Sequence, residues 1–143
     1  MTVLVDTGVL YADHDTDATR HADAAAALES VYDGVLGQPY ITDYIFDEAI
    51  TLTRTRAGSF APAHRLSEKL RGAAAYPRAY ELLHVSAAGF DDAVDIFERY
   101  DDQALSFTDA TIVAVMKRRG IDQVLSFDDD FDGVVSRVDP TTV

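Results

Sequence analysis

The sequence predicts an α/β fold, with helices packed around a mostly parallel sheet, and three observations carry that reading. Short apolar runs suited to strands buried on both faces (VLV at 3–5, QPYIT at 38–42, ELLHVS at 81–86, IDQVLSF at 121–127) are separated by longer helical stretches. Those stretches carry polar caps at their starts and glycines at their ends. The chain of 143 residues, with 48% apolar residues, matches one hydrophobic core, so a single domain over 1–143 is expected.

Residues 2–5 read as the first strand, and Thr7 to Ala12 as a helical turn beginning where it ends. In DTDATRHADAAAALESVYDG, Asp17 is the expected N-cap, alanines fill the interior and Gly34 lies beyond the end. QPYIT is the second strand. DYIFDEAITLTRTRAG reads as a helix capped by Asp43 and stopped at Gly58, with Arg54 and Arg56 matching the dipole of its last turn. APAHRLSEKLRGAAAY continues as helix, and ELLHVS is a strand. AAGFDDAVDIFERY is amphipathic, with Phe90, Ala93, Val94 and Phe97 expected on the core side. SFTDATIVAVMKRRG has Ser106 or Thr108 as cap, Asp109 in its first turn and Gly120 as stop. IDQVLSF and VVSRV are the last strands.

Composition bounds the chemistry. With no cysteine, disulfides, thiolate metal sites and a cysteine nucleophile are excluded. No leader or membrane-length apolar run is visible, so a cytoplasmic protein with no membrane association is expected. The formal charge of −13 opposes phosphate binding, because that binding is driven by Lys and Arg. An acid-rich surface with only Lys69 and Lys117 as lysines suits concentrated salt, where screening suppresses self-repulsion; this points to a halophilic setting. Between residues 54 and 78, six bases face the single acid Glu68, leaving +5 there and −18 for the remainder. Within that island, Arg54, Arg56, Arg65 and Lys69 are candidate contacts for RNA or a protein partner; a solvated helix face is the plainer reading.

In a parallel sheet with helical crossovers, strand C-termini and the helix N-termini after them share the edge where ligands bind. Four acids map to that edge. Asp6 and Asp128 leave strands there, Glu48 lies in the early turns of the helix after the second strand, and Asp109 opens the helix before the fourth. Singly, Asp6 and Asp109 are ordinary helix-terminal acids, Asp128 is an ordinary turn residue in DDDFDG, and Glu48 suits solvent. Together they repel: two carboxylates about 4 Å apart oppose each other by roughly 4 kcal/mol at an effective dielectric of about 20. An all-oxygen cluster without Cys or paired His suits Mg²⁺ or Mn²⁺, as one or two ions, and such ions activate water against phosphodiesters.

The blocks VDTGVLYA, TDYIFDEAITLTRTRAG, LSFTDATIVAVMKRRGI and VLSFDDDFD resemble, in order and spacing, the successive signature blocks of PIN-domain proteins, particularly VapC-like toxins. The resemblance spans nearly the whole chain. It implies a three-layer α/β/α fold, Mg²⁺- or Mn²⁺-dependent endoribonuclease activity, a cognate antitoxin and a homodimer. It assigns metal-binding roles to Asp6, Glu48, Asp109 and Asp128, with Thr7 and Thr108 as supporting hydroxyls. The DDDFD run leaves Asp129 and Asp130 as alternatives for the fourth acid.

Other chemistries lack their residues. The four histidines form no HExxH motif or close pair and suit surface or interhelical roles. There is no GxSxG elbow, no GxGxxG and no GxxxxGK[ST] loop. A phosphoaspartyl hydrolase would need a second acid two residues after Asp6, where Gly8 stands. The competing functional readings are a PIN-like protein- or RNA-binding module without significant nuclease activity, and an RNA-processing nuclease that is not a toxin.

Overall fold

The computed structural model describes residues 1–143. Its elements, in chain order, are β1 (Thr2–Val5), α1 (Thr7–His14), α2 (His21–Tyr32), β2 (Gln38–Thr42), α3 (Asp43–Ala57), α4 (Phe60–Arg71), β3 (Glu81–Leu83), α5 (Ala87–Arg99), α6 (Phe107–Arg119), β4 (Gln123–Leu125) and β5 (Arg137–Val138). The five strands form one parallel sheet ordered β3-β2-β1-β4-β5. Right-handed crossovers place the helices joining β1 to β2 and β3 on one face and those returning from β3 to β4 on the other. The packing agrees: α1 lies against α2 and α3, α3 against α4, and α5 against α6. The result is the expected three-layer α/β/α sandwich.

Burial follows the layers. Val3, Leu4 and Val5 of the central strand are wholly buried, which explains an apolar run without alternation. Ala110 to Met116 are all buried and all apolar except Thr111, whose hydroxyl donates to the Thr108 carbonyl, so the middle of α6 is enclosed on every side. Phe131 has 0% exposure and plugs the turn beyond β4, a burial that contributes about 1.5–3 kcal/mol.

The structure corrects several boundaries. Asp17 does not cap α2; the helix begins at His21, with Arg20 before it and no side-chain cap. The acid that turns the chain is Asp15, whose Oδ1 accepts from the Asp17 N–H at 3.0 Å. Thr42, not Asp43, caps α3, its hydroxyl accepting from the Ile45 N–H at 3.1 Å. Asp43 instead accepts from the Tyr44 and Val85 N–H groups, tying the helix start to the segment after β3. Helix α4 stops at Gly72 rather than running to Tyr76. Gly72 is left-handed (φ 64°), and a Cβ there would lie 2.7 Å from the Arg78 Cα, so only glycine fits. Ser106 is the cap of α6, not Thr108.

The strands after β2 are shorter than their apolar runs, spanning three residues in β3, three in β4 and two in β5. Ala93 is buried as expected, but Phe90 and Phe97 are 43% and 45% exposed. Both rings lean on Phe107 at the start of α6, at centroid distances of 5.5 and 6.0 Å. The histidine expectation holds: His21 meets the Ala12 carbonyl and His14 the Pro62 carbonyl, each at 2.8 Å, while His64 and His84 are exposed at the surface.

Candidate active site

From central β1 the chain steps to β2 on one side, while β4 pairs on the other, so the order reverses between β1 and β4. The carboxyl ends of two such strands splay their following loops apart and leave a crevice. A cavity of about 700 Å³ opens there, and Asp6, Glu48, Asp109 and Asp128 all line it. The four acids that the sequence brings to this edge therefore share one space.

Asp6 is the deepest. Its backbone N–H continues the sheet by donating to the Leu125 carbonyl at 3.0 Å, which fixes the residue beside the end of β4. Its side chain starts α1, with Oδ1 accepting from the Thr7 N–H at 2.8 Å and Oδ2 accepting from the Ser126 hydroxyl at 2.6 Å. Burial raises its pKa to about 7, helped by the charges of Asp109 and Glu48 and opposed by the Ser126 and Thr7 hydrogen bonds.

Asp109 is held by a reciprocal capping box. Its N–H donates to the Ser106 hydroxyl at 3.0 Å, and its Oδ2 accepts from the Ser106 N–H at 2.9 Å. Burial raises this carboxyl to about pKa 6, with Asp128 and Glu48 adding to the effect and the Ser106 contacts opposing it. Glu48 stands half-buried on α3. Asp128 donates its N–H to the Ser126 hydroxyl at 3.0 Å and accepts from the Asp130 N–H at 2.9 Å. The local turn role and the place in the cavity are thus both true of Asp128.

Ser126 was not among the residues expected from sequence, yet its one hydroxyl joins two of the acids. It is fully buried, donates to Asp6 and accepts from Asp128. Arg20 was also missed; it is the one basic residue on the cavity wall. Of the two supporting threonines, Thr7 lines the cavity, with a buried hydroxyl that has no partner. Thr108 does not line it, and its carbonyl accepts from the Thr111 hydroxyl. Asp129 reaches the cavity and Asp130 does not, although one carboxylate oxygen from each of Asp128, Asp129 and Asp130 lies within 4.8 Å of the others.

None of Arg54, Arg56, Arg65 and Lys69 lines the cavity. Lys69 is paired with Asp13 at 2.9 Å, while Arg54 and Arg56 lie over the Phe60 and Tyr11 rings at 5.6 and 5.1 Å. A second cavity of about 650 Å³, beside Tyr32, Tyr76 and Tyr80, has no carboxylate in its wall.

The donor set fits a hard divalent cation. Two buried carboxyls with raised pKa values, further acids around them and an unpartnered buried hydroxyl form an all-oxygen wall short of positive charge. A buried hydroxyl left alone costs about 1–3 kcal/mol, and an occupant of the cavity would satisfy it.

Known proteins share this fold. A family model described as "PIN domain" matches residues 3–135. Ribonuclease VapC26 of Mycobacterium tuberculosis is 29% identical over 126 residues, covering 88% of this chain and 86% of the relative. The 23S rRNA-specific endonuclease VapC20 of the same organism is 33% identical over 94 residues, covering 63% of this chain and 64% of its own. The crystal structure of M. tuberculosis VapC20, a toxin described as cleaving the sarcin-ricin loop, superposes with a TM-score of 0.78 at 26% identity, over 90% of this chain and 92% of that one. Since the family match, over residues 3–135, runs from the central strand past all five acids of the cavity wall, the chain belongs to the PIN-domain family.

Proposed function

We propose that this protein is a divalent-metal-dependent endoribonuclease and acts as the toxin of a VapBC-type toxin–antitoxin pair. The observation that carries the reading is the convergence of Asp6, Glu48, Asp109 and Asp128 on one cavity at the strand-order reversal. The similarity to VapC26 and VapC20, named as a ribonuclease and an rRNA endonuclease, supports RNA as the substrate class. These four acids would hold Mg²⁺ or Mn²⁺, as one or two ions, with Asp129 next in line beside Asp128.

A divalent ion bound there supplies a lowered pKa for attacking water and positive charge at the scissile phosphate. The chain's own residues prepare the rest. The Ser126 hydroxyl aims Asp6 and tethers the Asp128 backbone, so the two strand ends move together. The capping box leaves one Asp109 oxygen for the cavity while its other is spent on Ser106. Near neutral pH, Asp6 holds a proton for part of the time, and a divalent ion held by these acids would favour its ionised form. Thr7 offers its free hydroxyl to the water or phosphate oxygen that enters. In-line attack with departure of the 3′ oxygen leaves 5′-phosphate ends.

The same reading includes a cognate antitoxin, a homodimer and a cytoplasmic setting; no helix of the chain is long and apolar enough to cross a membrane. The test is incubation of purified protein with mixed RNAs, with Mn²⁺ or EDTA, at low and high salt. Cleavage confined to the Mn²⁺ arm, and lost in Asp6→Asn with Asp109→Asn, is expected. Cleavage that persists in EDTA or in the double variant overturns the mechanism.

A further inference from the structure

An RNA strand entering this cavity meets an electrostatic difficulty: five acids line it, namely Asp6, Glu48, Asp109, Asp128 and Asp129. Bound cations offset the carboxylates, but each backbone phosphate adds a further negative charge. The wall contains one positive side chain, Arg20. Every other guanidinium or ammonium singled out above as an RNA contact lies elsewhere.

Arg20 differs from an ordinary surface arginine in how it is held. Its guanidinium carbon sits 4.7 Å from the centroid of the Phe127 ring. It forms no ion pair within 4.0 Å and no side-chain hydrogen bond, although five carboxylates share its cavity. Stacking on an aromatic face orients the guanidinium plane without consuming its N–H donors. All five donors therefore stay free, in the fork geometry that matches two phosphate oxygens. Phe127 itself lies between Ser126, which aims Asp6, and Asp128, so the cation is mounted on the segment that sets the acids.

Resting on the nuclease reading above, we infer that Arg20, mounted on Phe127, is a substrate-positioning residue that takes a backbone phosphate of the RNA strand at the mouth of the acid-lined cavity. It acts by holding the strand in register with the acids and does not touch the reacting atoms. Arg20 is solvent-exposed at the foot of α2, so its replacement leaves the core intact.

The experiment uses the full chain and a fluorescein-labelled single-stranded RNA, with anisotropy read across a salt series in Ca²⁺ and cleavage kinetics in Mn²⁺. Arg20→Ala is expected to weaken RNA binding about tenfold and to flatten the log–log salt slope by about 0.7, the share of one single-strand phosphate contact. KM should rise by a similar factor, kcat at saturating RNA should change less than about threefold, and Mn²⁺ affinity should stay the same or tighten. Arg20→Lys should keep the slope but lose part of the affinity, and Phe127→Leu should lose affinity while keeping the charge. Wild-type affinity and slope in Arg20→Ala overturn the inference, as does a loss confined to kcat. Loss of antitoxin binding with RNA affinity intact also overturns it, in favour of a protein contact. Absence of cleavage by the wild type would instead strike the nuclease reading, and the anisotropy arm still decides the role of Arg20.

Discussion

Replacing Asp6 with Asn tests the electrostatics of the site without touching RNA. Asp6 is 8% exposed, and its pKa is raised from 3.8 to about 7. A carboxyl whose folded pKa lies above its unfolded value binds its proton more tightly when folded, so stability falls as pH rises from about 4 to about 7. At about 1.4 kcal/mol per unit, full ionisation costs the metal-free fold roughly 4 kcal/mol. Asn does not ionise and keeps the shape. It turns one accepting oxygen into a donor, which the Ser126 hydroxyl answers by rotating to accept, at a cost of about 1 kcal/mol. In EDTA at about pH 8, Asp6→Asn should therefore be roughly 3 kcal/mol more stable than wild type by urea unfolding, while at about pH 5 the two should lie within about 1 kcal/mol. Saturating Mn²⁺ should narrow or reverse the gap, since an ion at about 100 times its Kd adds about 2.7 kcal/mol to wild type. A variant no more stable than wild type at about pH 8, or one with an equal margin at both pH values, would refute the reasoning.

Ser126→Ala removes the hydroxyl that serves both Asp6 and Asp128; a loss of about 1–3 kcal/mol in urea unfolding at about pH 5, and a fall in kcat of about tenfold or more, are expected. Thr7→Val deletes a buried hydroxyl that has no partner, so metal-free stability should hold or rise by about 1 kcal/mol while cleavage falls, read by the same two assays. Joint neutralisation of Arg54, Arg56 and Arg65 should weaken RNA affinity and flatten its salt dependence if the basic island guides the strand; an unchanged slope in the anisotropy series removes that role.

The main architecture was legible because it is written in local signals. Apolar runs without alternation mark buried parallel strands, and glycine stops mark helix ends, as at Gly58 and Gly120, although the helical pattern reads through the stop at Gly72. The acids were legible because each follows or precedes such a signal, and topology alone brings them to one edge. Ser126 was not, because in VLSF it reads as one more strand residue. Its role arises from the register that sets Val5 opposite Leu125 and so brings the next residues of both strands together. Arg20 was hidden by Asp17, a better cap in isolation than any residue near the true start; tertiary packing and the Asp15 turn moved that start to His21. Phe90 and Phe97 fit the helical period of a core face, but Phe107 from α6 offers them a shelf at the surface. Periodicity shows which side a residue faces and not how deep the neighbouring layer extends.

The most direct test of the site is Mn²⁺ binding to the metal-free protein, followed by electron paramagnetic resonance near neutral pH. Asp6→Asn and Asp109→Asn should each weaken Mn²⁺ by about tenfold or more, while Asp130→Asn, whose side chain lies outside the cavity, should leave it close to wild type. Binding that ignores Asp6 and Asp109 but disappears with Asp130 would place the ion in the exposed acidic run after β4 and contradict the shared cavity as the metal centre.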